Sequence, residues 1–194
     1  MKLIRFLLFS TVFTTGASVL VIEVAAVRIL SVYYGSSLFV LSSVLTVILL
    51  ALSYGYYLGG KYSDKHPFCV PLYIIITFGG LSLFLLTLVT DFVLSNSATY
   101  TPFLLGPLFF SSLLFFTPAL LLGIDSPYVI KLLSLRANEE ERGALVGKTF
   151  FWSTAGSITG SLLSGFLLIP VFGLYQSLIG TSIILILLGL SGII

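Results

Sequence analysis

The sequence predicts an all-α membrane protein, a single six-helix transmembrane bundle over residues 1–194. Hydrophobic residues make up 58% of the chain, charged residues 8%, and the mean hydropathy is +1.17. A soluble fold of this composition would leave large apolar areas in contact with water. Lipid as the surrounding solvent removes that cost. No segment alternates in polarity as barrel strands do, so helices are the expected spanning elements.

Six segments are long and apolar enough to cross a hydrocarbon core of about 30 Å, which takes roughly 20 helical residues. We predict helices over about 6–30, 36–58, 69–90, 103–124, 144–169 and 172–194. The first segment follows Lys2 and Arg5, as a signal peptide would. It is too long for a cleaved signal peptide and contains Glu23, so we expect it to be retained as the first helix.

The nine lysines and arginines are distributed unevenly between the two sides that these helices define. Arg28 lies on one side. The others lie on the side of the N-terminus: Lys2, Arg5, Lys61, Lys65, Lys131, Arg136, Arg142 and Lys148. Basic residues accumulate at the cytoplasmic ends of transmembrane helices. We therefore predict cytoplasmic N- and C-termini and a multi-pass protein of the plasma membrane.

The shorter connections between the predicted helices differ in their chemistry. Val32–Ser37 and Pro170–Gly173 are expected to be tight outer turns, and Asp91–Pro102 a polar outer loop. Gly59–Pro67 is glycine-rich and charged. We expect this last segment to be a cytoplasmic loop.

The longest connection, Asp125–Gly143, contains a predicted helix of its own. Asp125 and Pro127 suit a helix start, because aspartate can cap the first turn and proline fits within it. Polar residues then recur at helical spacing among apolar ones. We predict a short helix in the cytoplasmic interface, between the fourth and fifth transmembrane helices.

A carboxylate lies inside the first apolar segment, where charge is costly and usually has a partner or a task. Arg28 follows Glu23 by five residues, which places the two side chains on different faces of a helix. Glu23 is either a proton- or cation-sensitive group facing a cavity, or a protonated or hydrogen-bonded structural group. Arg28 is either a site residue or an anchor reaching the membrane surface. Both are candidates for an intramembrane polar site.

Small residues predict two close helix contacts. Gly156, Gly160 and Ser164 recur every four residues in the fifth helix, and Gly55 and Gly59 have the same spacing in the second. This spacing lets helix backbones approach closely in lipid. We predict intramolecular packing at both places, with oligomer contacts or a sliding transporter interface as the alternatives.

Sequence signatures of catalysis are missing. The chain has no nucleophile elbow, no zinc-binding HExxH and no phosphate-binding P-loop. Cys69 and His66 are the only cysteine and histidine, which excludes a Cys/His metal cage. We therefore expect no catalytic residues, no metal and no cofactor. The absence of a basic run with interleaved aromatics argues against nucleic-acid binding.

Four stretches carry a family resemblance. They are GASVLVIEVAAVRILSVYYGSS at 16–37, SYGYYLGGKYSDK at 53–65, SPYVIKLL at 126–133, and ERGALVGKTFFWSTAGSITGSLLSGFLLIPVFG at 141–173. Together they resemble the membrane region of spermidine-synthase-like multipass proteins, in which a helical bundle precedes a cytosolic aminopropyltransferase-like domain. This sequence has no counterpart of that soluble domain. We therefore expect it not to be an enzyme.

Gly60, Asp64 and Lys65 look like the short G-x-x-x-D-R/K loop between the second and third helices of major facilitator transporters. The membrane region of the spermidine-synthase-like proteins is itself similar to half of such a transporter. The resemblance therefore implies a half-major-facilitator-like arrangement of the six helices. It also implies that Asp64 and Lys65 are candidates for a cytoplasmic charge relay, with Gly60 as part of the same loop motif.

Two functions follow as hypotheses. The first is a non-catalytic membrane subunit or scaffold that docks a partner protein and is related to the spermidine-synthase-like membrane domain. The second is a small dimeric transporter of the half-major-facilitator type, with Glu23 as its coupling group. Both require the lipid bilayer and either another protein subunit or a second copy of the chain.

Overall fold

The computed structural model describes residues 2–97, 101–135 and 137–193. Most of this part of the chain is helical and none of it is a strand, so the prediction of an all-α protein is confirmed. Its α-helices are α1 (Lys2–Tyr34), α2 (Leu38–Lys65), α3 (Cys69–Ser97), α4 (Gly106–Gly123), α5 (Asp125–Ser134), α6 (Glu139–Leu163), α7 (Ile169–Phe172) and α8 (Leu174–Ile193). A π-helical segment, Ser164–Leu168, joins α6 to α7.

Six helical spans in the described ranges are long and apolar enough to cross a membrane, which confirms that prediction. The helices α1, α2, α3 and α8 each provide one span. The fourth span, Gly106–Ser134, combines α4 and α5. The fifth, Glu139–Phe172, runs from α6 through the π-helical segment to α7. The sequence thus predicts the number and order of the spans correctly.

Two of the predicted loops are largely helical. The helix α2 continues to Lys65, so the prediction of a loop over Gly59–Pro67 is wrong for most of that segment. The helix α3 continues to Ser97, through the first part of the predicted loop Asp91–Pro102. The predicted helix ends coincide with the ends of the apolar runs. A helix satisfies its own backbone hydrogen bonds whatever its side chains are, so it can extend beyond its apolar part.

The fifth span also differs from its prediction at both ends. It begins at Glu139 rather than near residue 144, and Arg136 lies outside the described residues. The predicted turn Pro170–Gly173 is helical up to Phe172, and Gly173 alone makes the turn. Its φ is 88°, in the left-handed region that favours glycine. Pro170 lies within α7, directly after the π-helical segment. Proline has no backbone N–H, and a change of helical pitch beside it accommodates that loss.

The short helix α5 is nearly continuous with α4. Only Ile124 separates them, and its φ of −62° and ψ of −29° are themselves helical. Half of the residues of α5 are buried: Asp125, Tyr128, Val129, Leu132 and Leu133. These side chains attach α5 to the rest of the bundle, with its main contacts to α2 and α6.

Three helix pairs make the most extensive contacts: α3 with α8, α1 with α6, and α2 with α4. In order along the chain, these are spans three with six, one with five, and two with four. If span one is exchanged with span four, two with five and three with six, the same three pairs result. The pair of spans one and five becomes the pair of four and two, and the pair of three and six remains itself. The pairing therefore has the symmetry of two halves of three helices each.

Glycines bring α1 and α6 into backbone contact. A Cβ atom added at Gly156 would overlap the carbonyl group of Phe13, and one at Gly160 would overlap that of Ala17. Ser164 is buried and donates to a carbonyl oxygen of its own helix, 3.0 Å away. Helices in lipid associate through such close contact. The two glycines therefore set the distance between α1 and α6.

A second glycine contact joins α2 to the fourth span. A Cβ atom at Gly55 would overlap the carbonyl group of Leu120 and lie 3.0 Å from the Cα of Gly123. One at Gly59 would lie 2.5 Å from the carbonyl oxygen of Ile124. Both glycines are buried. The residues predicted for close packing in α2 thus face the junction between α4 and α5.

Candidate functional site

A fully buried carboxyl group lies where α5 meets α1. Asp125, the first residue of α5, is 1% exposed. Its Oδ2 is hydrogen-bonded to the hydroxyl of Thr15 on α1, with the two oxygens 2.5 Å apart. Its Oδ1 has no hydrogen-bond partner among the residues that the structure describes. A buried polar atom without a partner is uncommon, and inside a membrane span it marks a candidate site.

The expected capping role of Asp125 is wrong. No side chain caps the start of α5, and the side chain of Asp125 bonds to α1 instead. The reason is the near-continuity of the fourth span. The backbone N–H of Ile124 already donates to the Leu121 carbonyl, so the start of α5 is not a free helix end.

The hydrogen bonds continue from α1 to α3. Thr11, one turn before Thr15, is hydrogen-bonded to the hydroxyl of Tyr73 at 3.2 Å. The hydroxyl oxygen of Thr15 also lies 3.1 Å from the Thr11 carbonyl oxygen. Asp125, Thr15, Thr11 and Tyr73 form what we call the polar cluster. It ties α1 to both α5 and α3.

A cavity of about 60 Å³ adjoins the polar cluster. Its polar lining comes from Thr15, Tyr56, Ser126, Ser153 and Ser157, which belong to four different spans. The other lining residues are glycines, leucines and a valine. A cavity of this size with several hydroxyl groups is large enough to hold water.

The predicted intramembrane residues Glu23 and Arg28 lie apart from this cluster. Glu23 is half-buried and Arg28 is exposed. Neither forms an ion pair or a hydrogen bond with another described residue. Glu23 is eight residues beyond Thr15 on α1, a distance of about 12 Å along the helix axis. The structure therefore separates Glu23 from Asp125.

The predicted loop motif forms the last two turns of α2. Gly60 faces open space, and a Cβ atom there would touch nothing within 4 Å. Asp64 Oδ1 accepts a hydrogen bond from the Nζ of Lys131 on α5, at 2.6 Å. Lys65 has no carboxylate partner in the described ranges. The ion pair between Asp64 and Lys131 thus joins α2 to α5. The loop motif does not identify Lys131 as the partner of Asp64.

Further polar contacts hold the same end of the bundle together. The Tyr128 hydroxyl donates to the carbonyl oxygen of His66, directly after α2. Arg5 at the start of α1 forms an ion pair with Glu141 at the start of α6, at 3.6 Å. These contacts fix the ends of α2 and α6 relative to α5 and α1.

The polar cluster is suited to binding a proton or small polar groups. Asp125 is its one carboxyl group, and the other members carry hydroxyls. No group of three or more His, Cys, Asp or Glu side chains comes together within the described ranges, so these residues form no metal site of that kind.

Comparisons with protein-family models, with curated proteins and with solved structures found no match to this chain.

We expect Asp64 to be coupled energetically to Lys131 rather than to Lys65. A double-mutant cycle with Asp64→Asn and Lys131→Met should give a coupling free energy of about 0.2–1 kcal/mol, because both side chains are partly exposed to solvent. The matched cycle with Asp64→Asn and Lys65→Met should give a smaller value. The measurement is the free energy of unfolding in detergent micelles. A larger coupling to Lys65 would contradict the observed pairing.

Proposed function

We propose that the chain is a non-catalytic membrane subunit or scaffold that docks a second membrane protein through the outer face of α6. The observation that carries this proposal is the low burial of the fifth span. Only 17% of its most apolar stretch is buried inside the bundle, whereas the corresponding share is at least 33% in each of the other five spans. A helix with so much uncovered surface at the edge of a bundle is available for another helix.

The two faces of α6 support this assignment. One face carries Gly156 and Gly160 and packs on α1. On the rest of the helix, Gly143 and Gly147 face open space, and Phe151 and Ile158 are exposed. A groove of about 380 Å³ runs past Gly147 between these large side chains. Lipid tails can cover leucine-rich surfaces, but glycines beside a groove also permit close approach of a second backbone.

The finer features of the fold belong to the same proposal. We place both termini in the cytoplasm, because the basic residues collect at that end of the spans. We place α5 near the cytoplasmic interface, where Lys131 and Asp64 meet. The exchange symmetry of the helix pairs supports a half-major-facilitator-like arrangement. We also propose that the chain is related to the spermidine-synthase-like membrane region. We propose the plasma membrane as its location.

The docking proposal predicts a complex larger than one chain of 21.0 kDa after mild extraction from native membranes. Gly147→Leu should remove most of that complex, because a bulky side chain fills the proposed contact. Gly180→Leu is the matched control, since Gly180 on α8 also faces open space. Native mass spectrometry measures the assembled fraction and separates a second copy from a different subunit.

Recovery of single chains alone would contradict the docking proposal. An equal loss of the complex in Gly147→Leu and Gly180→Leu would contradict the assignment to α6.

A second candidate function is a small dimeric transporter with Glu23 as its coupling group. The observation that favours it is the half-buried Glu23 carboxyl, which has no partner among the described residues. Membrane carboxyl groups of this kind often bind the coupling ion or proton of a transporter. A second copy would supply the other half of the substrate pathway.

The transporter hypothesis predicts pH-dependent uptake into proteoliposomes that Glu23→Gln abolishes, because glutamine cannot exchange a proton. Glu140→Gln is the matched control, since Glu140 is an exposed acid in the first turn of α6. Uptake is measured over a panel of solutes that includes polyamines. The absence of flux for every solute, or equal effects of the two substitutions, would rule this function out.

A further inference from the structure

We propose that Asp125 is an intramembrane proton-binding site, occupied in the folded protein so that its carboxyl is a neutral acid donating to Thr15. This inference concerns the polar cluster alone and does not depend on the docking of a partner or on transport through Glu23. It assigns a role to a buried group that the sequence motifs do not identify.

The hydroxyl of Thr15 has more close acceptors than it has hydrogens. The Thr15 hydroxyl has one hydrogen, yet its oxygen lies 2.5 Å from Asp125 Oδ2, 3.1 Å from the Thr11 carbonyl and 3.2 Å from the Val12 carbonyl. If Asp125 is ionised, all three neighbours are acceptors and compete for that hydrogen. If Oδ2 carries a proton, Asp125 donates to Thr15 and Thr15 donates to the Thr11 carbonyl. In the protonated form the 2.5 Å contact has a hydrogen of its own, and only the two backbone carbonyls compete for the hydrogen of Thr15.

Asp125 also has no basic side chain as an ion-pair partner among the described residues. Of the titratable groups on neighbouring helices, Tyr73 on α3 belongs to the polar cluster and Tyr56 on α2 lines its cavity, and both carry neutral hydroxyls. Lys131, the basic residue of α5, is paired with Asp64. No Lys, Arg or His forms an ion pair with Asp125 within the described ranges. A fully buried carboxylate without a counter-charge is far more costly than the neutral acid.

Asp125 Oδ1 has no hydrogen-bond donor among the described residues. A carboxylate spreads its charge over both oxygens and requires donors at each, whereas the carbonyl oxygen of a neutral acid can remain without one at lower cost. In the structure only Oδ2 has a partner among the described residues. This one-sided arrangement fits the acid better than the ion.

The adjoining cavity provides a local route for proton exchange. Thr15 lines it, together with Ser126, the residue after Asp125. Ser153 and Ser157 of α6 lie on its other side. Water held between these hydroxyls can pass a proton to and from the Asp125–Thr15 pair. Release of the proton leaves a negative charge between α1 and α5.

Infrared spectroscopy tests the assignment, because a carboxylic acid and a carboxylate have separate stretching bands. In the purified full-length chain at neutral pH, we expect an acid band that disappears in Asp125→Asn and persists in the exposed-acid control Glu140→Gln. Glu23→Gln should leave this band in place, which separates Asp125 from the half-buried carboxyl of α1. Raising the pH should convert the acid band to the carboxylate band.

Two variants keep the test decisive if Asp125→Asn fails to fold. Thr15→Val retains Asp125 but removes its acceptor, so the acid band should shift in frequency. Thr15→Ser retains the hydroxyl and should keep the band in place. The proposal is overturned if the wild-type chain lacks the band, if Asp125→Asn retains it, if Thr15→Val leaves its frequency unchanged, or if the band persists at every pH at which the chain stays folded.

Discussion

Apolar side chains gain little by leaving lipid for the interior of a helix bundle, so membrane helices depend on close contact to stay together. In this protein glycines make such contacts. Gly156 and Gly160 of α6 rest on the backbone of α1, and Gly55 and Gly59 of α2 rest on the junction of α4 and α5. A methyl group at any of these four positions would overlap or crowd the opposite backbone. The glycines at these positions therefore determine how closely α6 approaches α1 and α2 approaches the fourth span.

That spacing also determines the position of the polar cluster. The contact with α6 holds one side of α1, and Thr15 lies on this helix between Phe13 and Ala17, the residues that the glycines touch. The glycines of α2 hold the start of α5, where Asp125 lies. The two glycine contacts together bring the Thr15 hydroxyl to 2.5 Å from Asp125. Packing in lipid thus creates a buried polar contact that neither helix has alone.

Hydropathy predicts the six spans because each must be long and apolar, and this requirement can be counted in the sequence. It does not predict where a helix stops once its side chains become polar, and α2 and α3 continue past their apolar runs to Lys65 and Ser97. The glycine rows could be found from their spacing, but which helix each row contacts depends on the tertiary pairing. The local sequence predicts a helix cap at Asp125, because Pro127 suits the first turn of a helix that begins there. Its role required a long-range contact, 110 residues from Thr15 in the chain.

The central claim is that glycine sites on α6 hold α1 by close backbone contact, and one comparison on a single helix tests it. The free energies of unfolding of Gly156→Ala and Gly147→Ala should be measured in the same detergent. Gly156→Ala should destabilise the protein by about 1–3 kcal/mol, because α1 must move away from the added methyl group. Gly147 faces open space, so its change to alanine should be neutral or stabilising by up to about 1 kcal/mol. Equal effects of the two substitutions would contradict the claim.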